Sequence, residues 1–271
     1  MNISYTKIDP AGNITVIVDS FVPREQQSRV ASELIKRDVT VEQVGFLEKP
    51  DDPCCAVRLQ MMGGEFCGNA SLSAAAVIFS RAGLAEGLYC EELFEVSGAP
   101  EPVKISGHMV NSACFEGEVA MPLPESISEC SFLDGFEGYT FPLVRFPGIC
   151  HAIVPVGTIE RERAKAVIAS WCRQLGADAL GLMFFDRNKH TLTPLVYVAS
   201  TDTAVWEGSC ASGTAAVAAY LAELDGEHAS VRLTEPRGTV SAAATYSSSQ
   251  VRSLTMSNRA VIQGEFTALI F

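Results

Sequence analysis

Two stretches of this chain share one pattern, a cysteine carried in a turn of small residues directly before an apolar helix. The first stretch covers residues 63–70 before the apolar run 71–79, and the second covers residues 206–214 before the run 215–221. A repeated element of this kind predicts two similar halves, each with one cysteine at a helix N-terminus. Free amides and the helix dipole favour negative charge there, so we expect these thiols to ionise more readily than usual.

The two cysteines, Cys67 and Cys210, have a simple alternative interpretation as small core residues, because free cysteine is often buried. Two cysteines in matching contexts favour chemistry instead. A pair of thiols can take a proton from one face of an α-carbon and return one to the other face. The negative charge that grows on the substrate carboxylate needs donors, and backbone amides at the two helix ends are the candidates. These amides belong to Gly68, Asn69, Ala211, Ser212 and Gly213.

The motifs of the chain resemble those of the cofactor-independent amino-acid racemases and epimerases built like diaminopimelate epimerase. The matching motifs, in chain order, are Gly12-Asn13 before an apolar strand, Cys67-Gly68-Asn69, Gly148-Ile149-Cys150-His151 before another strand, and Cys210-Ala211-Ser212-Gly213. The resemblance implies an α+β fold of two pseudo-symmetric halves, each a mostly antiparallel curved sheet around a central helix, with the active site between the halves. It implies no cofactor, and the four histidines have no ligand-like spacing to one another or to the cysteines, so we expect no metal.

The resemblance also implies roles for residues outside the cysteine turns. Asn13 and Asn69 match amide ligands of the substrate α-amino and carboxylate groups, and Gln60 matches an amide near the distal end of the substrate. His151 and Glu207 correspond to a His and a Glu that orient or polarise the cysteines. Asp202 is a rival for the place of Glu207, because the loop before the second cysteine is shorter here.

The substrate is the point on which the chain departs from diaminopimelate epimerases. Those enzymes carry Gly-Asn-Pro-His where this chain has residues 148–151, and a Glu-Arg pair where it has residues 200–206. Losing an arginine that pairs with a distal carboxylate disfavours diaminopimelate. Residues 63–69 are more similar to the histidine racemases of this fold, and Trp206 is a candidate to stack on a basic or imidazole side chain. The alternatives are a diaminopimelate epimerase with an altered distal site, a non-racemising isomerase and a thiol-redox protein.

Composition narrows the class of protein further. With 271 residues, 48% hydrophobic and 19% charged, the chain is typical of a globular enzyme. Its net charge of −12 argues against nucleic acid and anionic membranes as partners. The N-terminus lacks a signal-peptide pattern and the nine cysteines form no Cys-x-x-Cys pair, so we expect a cytoplasmic protein with a small-molecule amino-acid substrate. The oligomeric state stays open, with a homodimer as the candidate.

The pattern of strands, helices and turns predicts where the halves divide. We expect an N-terminal half over residues 1–125 with the first cysteine, and a C-terminal half over residues 126–259 with the second. The turn-rich stretch 122–137 is the predicted break between them. The last strand, at about residues 260–271, is expected to return to the first half, as it often does in the family.

Overall fold

The chain folds into two compact units. The structure is a computed structural model that describes residues 1–132, 138–200 and 202–270. Unit 1 comprises Met1–Ala120 with Ser257–Phe271, and unit 2 comprises Met121–Met256. These divisions lie a few residues from the positions that the sequence suggests, and residues 133–137 of the predicted break lie outside the described residues. Within the described part of the chain, no helix has the length and apolar character needed to span a bilayer.

Strands dominate the secondary structure, and a small number of helices are inserted between them. The order of elements along the described chain is β1 (Asn2–Pro10), β2 (Thr15–Val18), α1 (Arg24–Arg37), β3 (Gln43–Glu48), β4 (Val57–Met61), α2 (Gly68–Arg81), β5 (Tyr89–Val96), β6 (Val103–Asn111), β7 (Cys114–Ala120), β8 (Ser126–Ser131), β9 (Thr140–Phe146), β10 (Ile149–Pro155), α3 (Arg161–Gln174), β11 (Ala179–Asp186), β12 (Thr191–Val198), β13 (Thr203–Trp206), α4 (Ala211–Asp225), β14 (Ala229–Thr234), β15 (Thr239–Ser247) and β16 (Gln250–Leu269).

In unit 1 the sheet surrounds helix α2. Strands β1 to β7 are neighbours in chain order, and β16 pairs with β7 and with β1, so the strands form a closed ring. The pairs β2–β3 and β4–β5 are parallel, and the other described pairs of this unit are antiparallel. Helix α2 contacts β1, β2, β3, β6 and β7, and it buries nearly all of its side chains because its sequence is small and apolar. Helix α1 is amphipathic and packs only one face against β2 and β3.

Unit 2 repeats the element order of unit 1. Elements β9, β10, α3, β11, β12, α4, β14, β15 and β16 follow one another as β1, β2, α1, β3, β4, α2, β5, β6 and β7 do. The parallel pairs β10–β11 and β12–β14 also correspond to β2–β3 and β4–β5. Helix α4 takes the central place, and α3 takes the place of α1. The predicted α+β fold of mostly antiparallel sheets around central helices is therefore confirmed.

Two strands of unit 2 lie where the sequence predicts none. Strand β8 occupies part of the stretch predicted as a turn-rich break and pairs with β9 along its whole length. Strand β13 occupies part of the segment treated as a loop before the second cysteine and pairs with β12. Both strands are short and largely exposed, so a hydrophobic pattern along the chain does not mark them. Pairing with a longer neighbouring strand is what fixes them.

Candidate active site

The two cysteines of the repeated motif cap the two central helices in the same way. Cys67 precedes α2 with φ −135° and ψ 110°, and Cys210 precedes α4 with φ −134° and ψ 104°. Each Sγ accepts a hydrogen bond from the amide three residues later, Ala70 in unit 1 and Gly213 in unit 2, both at 3.4 Å. Each unit therefore places a thiol beside the N-terminus of its central helix, where the dipole favours negative charge.

The first turn of each helix leaves amides without an intrahelical partner. The first i→i−4 bonds of the two helices run from the Ser71 amide to the Cys67 carbonyl and from the Thr214 amide to the Cys210 carbonyl, so the amides before these donors have no partner within the helix. The amides of Gly68 and Asn69 in α2, and of Ala211 and Ser212 in α4, precede those already used by the cap. Helix ends of this kind bind carboxylates, so each unit offers donors for one.

The turn that carries Cys67 is held by the end of β5. The Ser97 hydroxyl accepts from the Met61 amide and donates to the Glu65 carbonyl, both at 2.9 Å. Gly98 has φ +74°, and a Cβ at this position would lie 2.3 Å from the Phe66 nitrogen. Only glycine combines this backbone conformation with so close an approach. The segment that follows β5 therefore fixes the position of the Cys67 turn.

In unit 2 a buried histidine is linked to Cys210 through the side chain of Ser212. Ser212 Oγ lies 3.6 Å from Cys210 Sγ and 3.0 Å from Nε2 of His151 on β10. His151 is fully buried, and this burial lowers its pKa to about 3, so the imidazole is neutral at physiological pH. Its Nδ1 has no hydrogen-bond partner among the described residues. The three side chains therefore form a hydrogen-bonded chain from the imidazole through the serine hydroxyl to the thiol.

The charge environment of Cys210 contradicts one expectation from the sequence. Burial raises the pKa of the Cys210 thiol well above its usual range, and the nearby carboxylates of Glu207 and Glu235 raise it further. Hydrogen bonds from Ser212 and Gly213 lower this pKa, but they do not outweigh burial. The prediction that the helix end makes this thiol ionise more readily is therefore wrong for Cys210, which is protonated at neutral pH.

Glu235 is the residue of this site that sequence reasoning missed. It lies in the turn between β14 and β15 and is only 5% exposed. Its carboxyl accepts hydrogen bonds from the Cys210 amide at 2.8 Å and from the Thr214 hydroxyl at 2.7 Å. A glutamate before Pro236 in a turn between strands indicates a surface residue, so no local pattern marks it.

The remaining candidates in unit 1 are three side-chain amides, two of which lie on segments adjoining the Cys67 turn. Asn13 is buried in the turn between β1 and β2 and donates through Nδ2 to Glu42 at 3.0 Å. Asn69 is buried in the first turn of α2, and its Oδ1 has no hydrogen-bond partner among the described residues. Gln60 is half-buried on β4, which leads into the turn, and donates to the Met61 carbonyl at 3.2 Å.

In unit 2 the structure distinguishes the rival acidic residues. Glu207 follows β13, and its charge acts on Cys210. Asp202 instead accepts a hydrogen bond from the Tyr197 hydroxyl at 2.8 Å. The Trp206 ring has the Arg161 guanidinium 3.8 Å from its centroid, so that face is already covered. Of the two acidic candidates, Glu207 is therefore the one that the structure associates with the second cysteine.

No group of three or more His, Cys, Asp or Glu side chains with the geometry of a metal site occurs in residues 1–132, 138–200 and 202–270.

With these positions known, comparison with other proteins places the chain in a family. Residues 2–268 match the family model described as the histidine racemase CntK N-terminal domain. The chain belongs to the histidine racemase family.

Curated relatives of this racemase agree with the family model. A histidine racemase from Fusobacterium nucleatum subsp. nucleatum is 34% identical over 228 residues, which cover 81% of each chain. A histidine racemase from Staphylococcus aureus is 28% identical over 227 residues, covering 80% of this chain and 79% of the relative. The resemblance to racemases and epimerases that the sequence motifs suggest is thus confirmed, and the protein is an amino-acid racemase or epimerase.

Solved structures show the same fold at low sequence identity. A hydroxyproline epimerase from Agrobacterium vitis, solved with bound trans-4-hydroxy-L-proline, has a TM-score of 0.74 at 13% identity. The matched region covers 98% of the present chain and 92% of the epimerase chain. A phenazine biosynthesis protein of the PhzF family from Bacillus anthracis has a TM-score of 0.71 at 15% identity, with both chains fully covered. At these identities the likeness establishes the fold alone.

Proposed function

We propose that this racemase inverts the α-carbon of free histidine by a two-base reaction of Cys67 and Cys210, without pyridoxal phosphate. The observation that carries the proposal is the matched pair of helix caps. In each cap the cysteine Sγ accepts a hydrogen bond of 3.4 Å from the backbone amide of the third helical residue. Similarity to histidine racemases over four fifths of the chain supports histidine as the substrate.

The reaction needs one thiolate and one thiol on opposite faces of the α-carbon. The thiolate removes the α-proton, the pair of electrons moves into the carboxylate as an enediolate, and the other thiol delivers its proton to the opposite face. The enzyme before the reaction and the enzyme after it differ only in which of the two sulfur atoms holds the proton. Burial raises the pKa of Cys210 and keeps this thiol protonated at neutral pH, so Cys67 is the proposed base for the first turnover.

The other residues are proposed to bind the substrate and to stabilise the negative charge that develops on its carboxylate. The free amides of Gly68, Asn69, Ala211 and Ser212 stabilise the enediolate oxygens as they gain charge. The side chains of Asn13 and Asn69 bind the α-amino and carboxylate groups, and Gln60 contacts the distal imidazole. In unit 2, His151 and Glu207 set the proton affinity of Cys210. The Gly213 amide is already used by the Cys210 cap, so it supports the thiol and not the substrate.

The test follows deuterium at the α-carbon. Reduced, pyridoxal-free protein in D2O is incubated with L-histidine, and the α-proton is followed by NMR while chiral chromatography follows D-histidine. Two bases predict that the new D-histidine carries deuterium while the remaining L-histidine keeps its proton early in the reaction. Loss of the proton from unreacted L-histidine at the same rate contradicts the two-base mechanism. If the protein reacts with meso- or LL-diaminopimelate and not with histidine, diaminopimelate takes the place of histidine as the substrate.

Serine variants test each thiol. Cys67→Ser and Cys210→Ser are each expected to slow racemisation by about 10²–10⁴-fold, the usual contribution of a positioned acid or base. Cys54→Ser is the matched control, because Cys54 is a free and exposed cysteine. Normal racemisation by either of the first two variants, or an equal loss in the control, contradicts the assignment.

A further inference from the structure

Glu235 is a buried carboxyl for which the proposed mechanism has no role. Its two oxygens each accept one hydrogen bond, from the Cys210 amide at 2.8 Å and the Thr214 hydroxyl at 2.7 Å. Thr214 is itself fully buried in α4. The carboxyl therefore joins the β14–β15 turn to the first turn of the helix that Cys210 caps.

The electrostatics of this position are unfavourable for a charge. Burial raises the pKa of Glu235 to about 8, and the charge of Glu207, on the segment between β13 and α4, acts in the same direction. The donors on α4 oppose this shift in pKa without cancelling it. A protonated carboxyl can still accept the Cys210 amide through its carbonyl oxygen and share a hydrogen bond with Thr214. At neutral pH the contact is thus a pair of hydrogen bonds between neutral groups.

We propose that Glu235 is a positioning residue for Cys210, which fixes the backbone of the cap through its hydrogen bonds to the Cys210 amide and the Thr214 hydroxyl. The proposal rests on the proposed function, since it concerns the second thiol of that reaction. While neutral, Glu235 holds the Cys210 amide and thereby the direction of the Sγ. Once ionised, it joins Glu207 as a second negative charge beside the thiol and opposes both thiolate formation and a substrate carboxylate.

Glu235→Gln is the decisive variant, because glutamine resembles the neutral carboxyl and cannot ionise. Its carbonyl can accept the Cys210 amide, and its amide group can donate to Thr214. We expect kcat/KM for histidine near the wild-type value at pH 7, with slower decline above the wild-type midpoint of about 8. At pH 9 the variant should exceed the wild type by about tenfold, the ratio for a group one unit above its pKa. Glu227→Gln, at an exposed glutamate after α4, should follow the wild type.

A second measurement reads Cys210 without any turnover. Protein labelled with [3-13C]cysteine is titrated by NMR, and the Cys210 signal is assigned by its loss in Cys210→Ser. The wild-type Cys210 signal should show a step near pH 8, as Glu235 ionises beside it. The step should vanish in Glu235→Gln.

The two measurements separate the proposals. A step that disappears in Glu235→Gln supports the role of Glu235 even where the protein racemises no histidine, in which case only the proposed function fails. A step that persists in Glu235→Gln, or identical pH profiles of kcat/KM in an active enzyme, overturns the role of Glu235. Where Glu235→Gln does not fold, the wild-type spectrum decides, because a flat Cys210 signal between about pH 7 and 9 overturns the proposal.

Discussion

At the scale of single residues, Ser212 is the link between the buried imidazole and the second thiol. Its hydroxyl lies within contact distance of both His151 Nε2 and Cys210 Sγ, and its backbone amide is a separate candidate donor to the substrate. Ser212→Ala removes the hydroxyl and keeps the amide. We expect kcat to fall about 10–100-fold with little change in KM, the effect of losing a hydrogen bond to a charged group.

Chiral chromatography of histidine measures this loss, and Ser212→Thr should restore most of the rate because it returns a hydroxyl. Ser32→Ala removes a hydroxyl that bonds only within α1, so it serves as the control. Wild-type kcat in Ser212→Ala contradicts a role for this hydroxyl in supporting Cys210.

Gly98 permits a second prediction at this scale. Gly98→Ala combines a φ of +74° with a Cβ 2.3 Å from the Phe66 nitrogen, whereas Gly87→Ala has the same φ with nothing within 4 Å. Both variants carry the backbone cost of a left-handed residue, about 1–2 kcal/mol. Gly98→Ala must also displace the Cys67 turn, so its free energy of unfolding should fall by a further ~1–3 kcal/mol. Urea unfolding followed by circular dichroism measures both, and equal losses contradict the close approach.

At the scale of elements, Trp171 is the largest side chain that α3 buries in the core of unit 2. Trp171 is fully buried and stacks on Phe132 with ring centroids 4.0 Å apart and planes at 3°. Trp171→Ala should lower the free energy of unfolding of unit 2 by about 3–5 kcal/mol, because the cavity forms in the packed core. The fluorescence of Trp206, the other tryptophan, follows the transition. Phe21→Ala, at a side chain 86% exposed, should change stability by less than about 0.5 kcal/mol, and an equal loss there contradicts the argument.

The central helices are the elements that the sequence predicts best. The runs after Cys67 and Cys210 are small and apolar on all sides, and only a helix enclosed by other elements buries such a surface. The edge strand β8 and the short strand β13 could not be predicted in this way, because the neighbouring strand fixes them. The central helices and their cysteine caps are thus readable from local pattern, the closed sheets around them follow from the family resemblance, and the short edge strands follow from neither.

The candidate site shows the same division between local and long-range causes. The helix caps are local and follow from the cysteine turns. The carboxyl of Glu235 reaches Cys210 only because the β14–β15 turn packs on α4, and the raised pKa of Cys210 depends on that contact and on burial. No pattern near residue 210 contains this information, which is why the expected direction of its ionisation was wrong.

At the scale of the whole molecule, two buried groups make stability depend on pH in opposite directions. Burial lowers the pKa of His151 from 6.5 to about 3, so the unfolded chain binds the extra proton between these values. Stability from this group is therefore complete above about pH 6.5 and is lost as the pH falls toward 3. The slope reaches at most about 1.4 kcal/mol per pH unit.

Glu235 has the opposite sign, because its pKa is raised from 4.5 to about 8 and the folded state binds the extra proton. Its contribution is complete below about pH 4.5 and is lost as the pH rises through 8. We therefore expect the free energy of unfolding to decline between about pH 6.5 and 8, by up to ~1.4 kcal/mol per unit. Urea titrations across this range measure the slope, which Glu235→Gln should flatten and Glu227→Gln should leave unchanged. A slope that is the same in all three proteins means that Glu235 is ionised throughout this range and that another group causes the decline.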